Sequence, residues 1–400
     1  MTSQSISPTR ALVLSTFAFG VAFAAWSLLS PLAIGIQRDL ALSDVQTSVL
    51  IAIPVILGSL LRLPLGIMTD RYGGRRVFAG LLILVLPALA MLSLAGSYVA
   101  LLLGGLWLGL AGASFAVGVP FVSRYYPPER QGFALGVYGA GNIGTAIAAR
   151  LAPQIAAAWG RSAVFVVFAA VVAAMALVFW LLARDAPAPA GAPRPSFASS
   201  MAVLRREKLA WLFSLFYFVT FGGFVAFSLY LPKLLVDLYK ITPIDAGNRV
   251  LVFVVLATLA RPTGGWLSDR WGAVRVLQAV FLMITLMAIV LTLTTAIIPL
   301  TIACLVSSVF LGLGSGAVFK LVPEYFLSRT GTVTGIVGAA GGLGGFFPPL
   351  ILGAVRQAFG SYTVGFALLA LTSLVCFLLN QQVLVARGRG SEVPHTEFET

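Results

Sequence analysis

The chain has 400 residues, of which 59% are hydrophobic and 10% are charged. Soluble globular domains carry a charged fraction nearer about 25%, so this composition excludes a soluble globular protein and predicts one that crosses a membrane several times. The net charge of +13 does not indicate nucleic-acid binding, because the cations lie in short turns between apolar runs instead of along one soluble face.

Apolar runs of about 20 residues, the length that crosses a bilayer, occur in two groups of six. They lie at 12–36, 46–69, 77–95, 99–122, 133–157 and 162–183, and then at 209–232, 247–268, 274–297, 299–323, 331–357 and 361–386. We therefore predict an all-α membrane protein with 12 transmembrane helices, arranged as a six-helix bundle at 1–183, a proline-rich linker at 184–208, a second six-helix bundle at 209–386 and a tail at 387–400.

The distribution of lysine and arginine predicts the orientation. Loops on the face with the chain ends carry 16 of these residues and loops on the other face carry 6, so both termini are expected on the cytoplasmic side of the cytoplasmic (inner) membrane. Four further cations lie inside predicted spans, namely Arg62, Arg150, Arg261 and Lys320, whereas the 13 acidic residues lie in loops, tails or helix ends. Buried cations without counter-carboxylates are tolerated where a mobile anion or water reaches them.

Residues suited to catalysis or metal binding are sparse. Cys304 and Cys376 fall in apolar runs, and the single histidine, His395, lies in the polar tail. No grouping of nucleophile, base or metal ligands is present in the sequence, which therefore predicts no enzyme, no metal site and no cofactor.

One short stretch occurs twice, 199 residues apart, and indicates that the two halves are related. Its copies are Arg62 to Gly66 followed by Asp70 and Arg71, and Arg261 to Gly265 followed by Asp269 and Arg270. An arginine at the centre of a spanning helix costs roughly 2.5 to 3.5 kcal/mol, so two at matching positions predict two guanidinium groups in the interior. The alternative is a pair of structural cations bonded to helix carbonyls.

The first copy, continued through Gly73, Arg75 and Arg76, resembles the loop signature of the major facilitator superfamily between its second and third helices. The resemblance implies two helical bundles with a substrate site near the bilayer midplane that opens alternately to either side. Aspartates in these turns can pair with cations or cap helix ends, so the turns are expected to latch the cytoplasmic face and not to touch substrate. The gating residues predicted here are Gly66, Asp70, Arg71, Gly265, Asp269 and Arg270.

Glycine-rich patterns at 132–145 and 335–345 are similar to the paired signatures of the nitrate/nitrite porter family. Such glycines let helices cross closely or slide, and those expected to do so are Gly139, Gly141, Gly338, Gly341 and Gly342. Asn142 differs, because an amide in lipid must find a partner and can donate to an anion.

Two more stretches resemble the same family. Residues 214–222 are similar to its seventh helix and point to Tyr217, with Phe221 one turn on, and residues 314–323 are similar to its tenth helix, although relatives often carry Asn where this chain has Ser315. The resemblance implies that Arg62 and Arg261 clamp the anion, that Asn142 and Tyr217 add hydrogen bonds, and that Phe115 and Phe221 line the flat faces of the anion. For Phe115, and for Phe23 in the first helix, core packing is the alternative.

The other two intramembrane cations leave alternatives open. Lys320 lies four residues before Glu324, which predicts a pair on one helix face, with a gating role as the alternative. Arg150 lies two turns beyond Asn142, where it either attracts anions to an entrance or reaches the lipid headgroups.

The sequence thus predicts a secondary transporter of nitrate, nitrite or both that works by alternating access, as a monomer without a nucleic-acid partner. No Asp, Glu or His lies within the predicted spans, which favours nitrate/nitrite exchange while proton-coupled nitrate uptake stays open. The rival functions are transport of another small anion, such as an organic phosphate or carboxylate, and a membrane nitrate sensor.

Overall fold

A computed structural model describes residues 6–186, 207–326 and 330–385, and within them the chain forms the twelve predicted helices. Six are continuous rods: α3 (Gly74–Leu94), α6 (Arg161–Leu182), α7 (Lys208–Tyr239), α8 (Pro243–Trp271), α9 (Ala273–Leu293) and α10 (Ile297–Tyr325). Most of the predicted linker and the tail lie outside the described residues.

The other six helices change geometry along their length. They are α1 (Pro8–Trp26 and Leu29–Asp39), α2 (Asp44–Leu60 and Arg62–Tyr72), α4 (Tyr98–Leu108 and Ser114–Ser123), α5 (Pro128–Gly139 and Ile143–Trp159), α11 (Thr330–Leu343 and Phe347–Phe359) and α12 (Thr363–Leu379, then Asn380–Val385 as a π-helical turn). In the described ranges, eleven helical segments are long and apolar enough to cross a membrane. The twelfth, α5, is interrupted by a 3₁₀ turn.

The breaks in the first half coincide with residues that the sequence singled out. The break in α2 at Leu61 directly precedes Arg62, the 3₁₀ segment Gly109–Ala113 of α4 ends two residues before Phe115, and the 3₁₀ turn of α5 ends at Asn142. In the second half the counterparts of α2 and α4, which are α8 and α10, are continuous, whereas α11, the counterpart of α5, is interrupted as well. The two halves are therefore related but not equally regular around the interior.

Glycines at matching positions make the tight turns of the repeat. Gly73 joins α2 to α3 with φ of 89°, and Gly272 joins α8 to α9 with φ of 83°. This left-handed backbone region is open to glycine at little energetic cost. The shared geometry confirms that the sequence repeat is a structural repeat.

An even number of crossings places both chain ends on one side, which we name the terminal face; the opposite side is the far face. The halves pack closely at the far face: a Cβ atom added to Gly353 of α11 would lie 2.1 Å from the Ser48 hydroxyl of α2, and one added to Gly247 would lie 2.0 Å from the Ala149 carbonyl. Towards the terminal face, a Cβ on Gly335 would lie 3.8 Å from Leu63. The structure is thus closed at the far face.

The prediction that Lys233 lies in a loop is wrong. The apolar run ends at 232, but α7 continues as a helix to Tyr239, and the Lys233 side chain is completely buried within it. The ammonium group lies in the interface between the halves, where its charge is paired with the carboxylates of Asp44 and Asp237.

Close crossing of α8 and α10 depends on glycine, and adjacent positions give a matched test. A Cβ on Gly264 would lie 2.1 Å from the Leu313 carbonyl, whereas one on Gly265 meets nothing within 4 Å. We expect Gly264→Ala to lower the free energy of unfolding by about 1 to 3 kcal/mol through overpacking. Gly265→Ala should be neutral or stabilising by up to about 1 kcal/mol through helix propensity. Thermal unfolding in detergent measures both, and equal midpoints would contradict the expected close crossing.

Candidate functional site

Two arginines from opposite halves meet at the ring of Phe221 in α7. The guanidinium carbon of Arg62 lies 5.4 Å from the centroid of this ring, and that of Arg261 lies 5.6 Å from it. Cations at this distance from an aromatic face are attracted to its π electrons. The ring therefore partly offsets the repulsion between two like charges that the fold holds in one place.

Arg62 is buried, with 5% of its surface exposed, and it bonds across the interface between the halves. Its Nη1 donates to the carbonyl oxygen of Gly338 in α11 at 2.6 Å. Its Nε has no hydrogen-bond partner among the described residues. The carbonyl bond that sequence reasoning kept as an alternative is present, but it leaves the Nε donor of the guanidinium unused, and an unused buried donor favours an acceptor ligand.

Arg261 is half-buried and is surrounded by aromatic rings. Its Nη2 donates to the Tyr217 hydroxyl at 2.9 Å, and the Tyr217 ring stacks on Phe221 with centroids 5.0 Å apart and planes 2° apart. Its guanidinium carbon also lies 5.4 Å from the Phe115 ring and 5.5 Å from the Phe319 ring. Arg261, Tyr217 and three phenylalanines thus form one cluster with Arg62.

Sequence reasoning missed Phe319. This residue contacts the Tyr217 ring edge-on at 4.7 Å in addition to Arg261. The sequence offered one weak signal, its position directly before Lys320 within a stretch already compared with a family helix. That signal does not give the direction in which α10 presents the ring, and the role of Phe319 depends on this direction.

Phe115 and Phe23, for which core packing was the alternative to substrate contact, lie in different surroundings. Phe115 contacts Arg261 on one side and stacks on Tyr138 on the other, with centroids 5.7 Å apart. Phe23 packs against Phe19 and Trp26 and contacts neither arginine. Phe115 therefore lines the cluster, whereas Phe23 belongs to the packed core of α1.

Asn142 is buried beside this cluster without being bonded to it. Its Oδ1 has no hydrogen-bond partner among the described residues, and 2% of its surface is exposed. It lies one turn after Gly139, whose Cβ, if present, would be 3.8 Å from Nη1 of Arg261. The 3₁₀ turn thus places an amide with an unsatisfied oxygen one helical turn from the glycine that borders the second arginine.

The signature glycines make room for the clustered side chains. A Cβ on Gly341 would lie 2.1 Å from the Tyr217 ring, one on Gly342 would lie 3.2 Å from the guanidinium carbon of Arg62, and one on Gly141 would lie 2.2 Å from Phe19. Gly338 has open space instead. Gly342 and Arg62 also line a narrow void of about 180 Å³, too constricted for a water-sized sphere.

Comparison with known proteins identifies the family of the chain. The model described as Major Facilitator Superfamily matches residues 15–349 and 241–398. The chain belongs to this superfamily. It is 43% identical to the nitrite extrusion protein of Bacillus subtilis over 368 residues, which cover 92% of each chain. It is also 40% identical to the probable nitrate transporter NarT of Staphylococcus epidermidis, covering 92% of this chain and 94% of that one.

A third relative, the probable nitrate/nitrite transporter NarK2 of Mycobacterium tuberculosis, is 41% identical to this chain. The alignment covers 91% of this chain and 93% of that one. The chain is therefore a member of the nitrate/nitrite porter family, a multi-pass membrane transporter and not an enzyme. The resemblance drawn from the sequence motifs is confirmed.

Solved structures support the fold. The inward-facing, unoccupied bacterial homologue of the human lysosomal transporter Spinster superposes with a TM-score of 0.73 at 17% identity, covering 93% of this chain and 95% of that one. The human organic anion transporter MFSD10 superposes with a TM-score of 0.74 at 17% identity, covering 94% of this chain and 100% of that one. The major facilitator fold predicted from the sequence is thereby confirmed.

The motif residues at the terminal face of the transporter lie apart from the arginine cluster. Lys320 binds Asp269 at 2.5 Å, so the expected pairing with Glu324 is wrong: the lysine reaches across to α8 instead of along its own helix. Both side chains are about half exposed, and such pairs contribute about 0 to 1 kcal/mol. The pair joins α8 to α10 within one half, so a latching role for it stays a prediction.

The remaining motif residues contact neighbours in their own half of the protein. Arg71 lies over the Tyr72 ring at 5.3 Å and Arg270 over the Trp266 ring at 5.8 Å, while a Cβ on Gly66 would be in ordinary contact, 3.7 Å from the Ala116 carbonyl. The Asp70 side chain lies outside the described part of the structure. Gating by these residues stays a prediction.

Arg150 is exposed and has a partner that the sequence did not suggest, while the two roles considered for it stay predictions. Its guanidinium donates to the side-chain oxygen of Asn248 in α8, across the interface between the halves near the far face. The bond joins α5 to α8 beside the close contact of Gly247 with Ala149. Arg150 therefore contributes to closure of the far face.

Proposed function

We propose that this transporter carries nitrate, nitrite or both across the cytoplasmic membrane by alternating access, as a monomer with both termini in the cytoplasm. The observation that carries the proposal is the convergence of Arg62 and Arg261, from opposite halves, on the Phe221 ring. The names of three relatives at 40 to 43% identity support the substrate class.

The chemistry of the cluster suits a small planar monoanion. A guanidinium presents a planar fork of donors that matches two oxygens of nitrate or nitrite better than the point charge of an ammonium does. Tyr217 and Asn142 supply further hydrogen bonds, and the rings of Phe115 and Phe221 exclude water from the flat faces. The anion takes the place of the Gly338 carbonyl on Arg62, neutralises the facing guanidinium groups and lets the halves close around it.

We further propose that transport is nitrate/nitrite exchange. The described residues bring no aspartate, glutamate or histidine to the Phe221 cluster, so it has no side chain that titrates near neutral pH. An empty carrier retains two uncompensated guanidinium groups at the centre and returns slowly, whereas an occupied carrier returns readily. Proton-coupled uptake of nitrate is the competing mode.

Uptake of labelled nitrate into proteoliposomes tests the proposal. Vesicles are loaded with nitrite, nitrate, phosphate or no exchangeable anion. We expect internal nitrite or nitrate to raise the initial rate by at least about tenfold, a change equivalent to about 1.4 kcal/mol, and phosphate to leave it at the level of unloaded vesicles.

Two outcomes would contradict the proposal at different levels. Full uptake driven by a proton gradient alone in unloaded vesicles would rule out obligatory exchange while leaving nitrate as the substrate. Indifference to nitrate under every loading would rule out the substrate class and direct the search to organic phosphates and carboxylates.

A further inference from the structure

The far face of the transporter holds a fully buried lysine between two carboxylates. Nζ of Lys233 lies 2.9 Å from Oδ1 of Asp44 and 2.7 Å from Oδ2 of Asp237, and its side chain has 0% exposure. The aspartate side chains are 28% and 20% exposed. A lysine buried to this degree is stable only when it is paired, so both carboxylates contribute to its tolerance.

The two carboxylates differ in which half of the protein carries them. Asp44 is the first residue of α2 in the first half, whereas Lys233 and Asp237 lie one turn apart on α7 in the second half. The Lys233–Asp44 bond therefore crosses the interface, and the Lys233–Asp237 bond does not. This difference gives the two bonds different fates when the halves separate.

Each carboxylate is held by a neighbour from its own half. Nε2 of Gln37 in α1 donates to Oδ1 of Asp44 at 3.1 Å, and the Tyr362 hydroxyl donates to Oδ2 of Asp237 at 2.6 Å. Both anions are thus positioned independently of the bond that crosses the interface. Separation of the halves would leave every charged group with at least one partner.

We propose that the Asp44–Lys233 ion pair is a releasable latch of the far face, and that Asp237 sets its strength by retaining Lys233 when the latch opens. The proposal rests on the alternating-access part of the proposed function and not on the identity of the substrate. Breaking a buried charge pair outright costs several kcal/mol, because one charge is left alone. The i,i+4 partner avoids this penalty, so the latch holds the closed state without trapping it.

The latch makes opposite predictions for two chemically identical substitutions. Asp44→Asn removes the bond across the interface and leaves Lys233 paired in the open state, so the far face should open more often. Asp237→Asn removes the partner that Lys233 keeps on opening, so the far face should open less often. Each substitution removes one negative charge beside the same lysine, which makes each variant the electrostatic control for the other.

Reactivity of a cysteine at Ser30 measures how often the far face opens. Ser30 is buried and donates across the interface to the Leu229 carbonyl, one turn before Lys233. The isosteric Ser30→Cys change is made in a background in which the buried native cysteines Cys304 and Cys376 are replaced by alanine. The rate of its reaction with a neutral hydrophilic maleimide is measured on protein in nanodiscs without added anion.

We expect Asp44→Asn to raise the labelling rate about fivefold and Asp237→Asn to lower it about fivefold. Changes of this size correspond to a weak charge-assisted hydrogen bond, because both carboxylates are partly exposed to water. Changes in the same direction, or no change in either variant, would overturn the proposal. Should Asp44→Asn not fold, Asp237→Asn decides alone, since only a latch predicts slower labelling. Because no anion is added, failure of the nitrate proposal would not affect the result.

Discussion

Arg62→Lys and Arg261→Lys are each expected to lower nitrate exchange by about 10- to 150-fold, which corresponds to the loss of a charge-assisted hydrogen bond of about 1.5 to 3 kcal/mol. Each substitution keeps the charge and removes the planar fork of donors. A lysine at 62 has one ammonium to satisfy both the Gly338 carbonyl and the anion, and a lysine at 261 loses the geometry that serves the Tyr217 hydroxyl and three rings at once. Charge alone therefore does not restore the site.

Initial rates of nitrate uptake into nitrite-loaded proteoliposomes measure the effect, normalised to the amount of folded protein. Arg38→Lys is the matched control, because Arg38 is exposed at the end of α1 and contacts none of the cluster residues. It should leave exchange unchanged within about twofold, as is usual for surface substitutions. Lysine variants that retain wild-type rates would show that the two guanidinium groups act only as point charges or as structural cations.

The parts of the structure that the sequence could predict are those fixed by the energetics of the lipid environment. Apolar runs must become helices there, because an unpaired peptide group has no water to bind, and so twelve spans could be located, although α7 ends seven residues beyond its predicted span. An arginine in such a run is costly, and its recurrence 199 residues later identified both the repeat and the two guanidinium groups. The structure joins those residues at Phe221.

What the sequence could not predict depends on side-chain direction and on contacts between the halves. Phe319 resembles any other phenylalanine until α10 turns it towards Arg261. The bond from Arg62 to the Gly338 carbonyl joins α2 to α11, two helices 276 residues apart in the chain at this contact, and only the packing of the two halves brings them together. Lys233 looked like the start of a loop because a lysine normally ends an apolar run, yet two aspartates allow it to be buried.

Two glycines of α11 separate the packing role of the family signature from its role in the site. Gly341→Ala is expected to lower exchange by about 30-fold or more, because the new methyl would lie 2.1 Å from the Tyr217 ring and the ring would have to move. Movement of the ring breaks the hydrogen bond from Arg261 and the stacking on Phe221 together. Stability should fall as well, by about 1 to 3 kcal/mol through overpacking, because the displaced ring is 1% exposed.

Gly338→Ala is the matched control, since it makes the same change three residues earlier in the same helix, where a Cβ meets nothing within 4 Å. Both substitutions raise helix propensity by about 1 kcal/mol, so that effect cancels in the comparison. Uptake rates and thermal midpoints are measured for both. Equal exchange in the two variants would mean that Tyr217 is free to move without loss of function. Loss of exchange in Gly338→Ala as well would indicate that α11 must slide past α2 during transport. Sliding would explain why the signature has a glycine at a position where the structure, closed at the far face, leaves room for a larger residue.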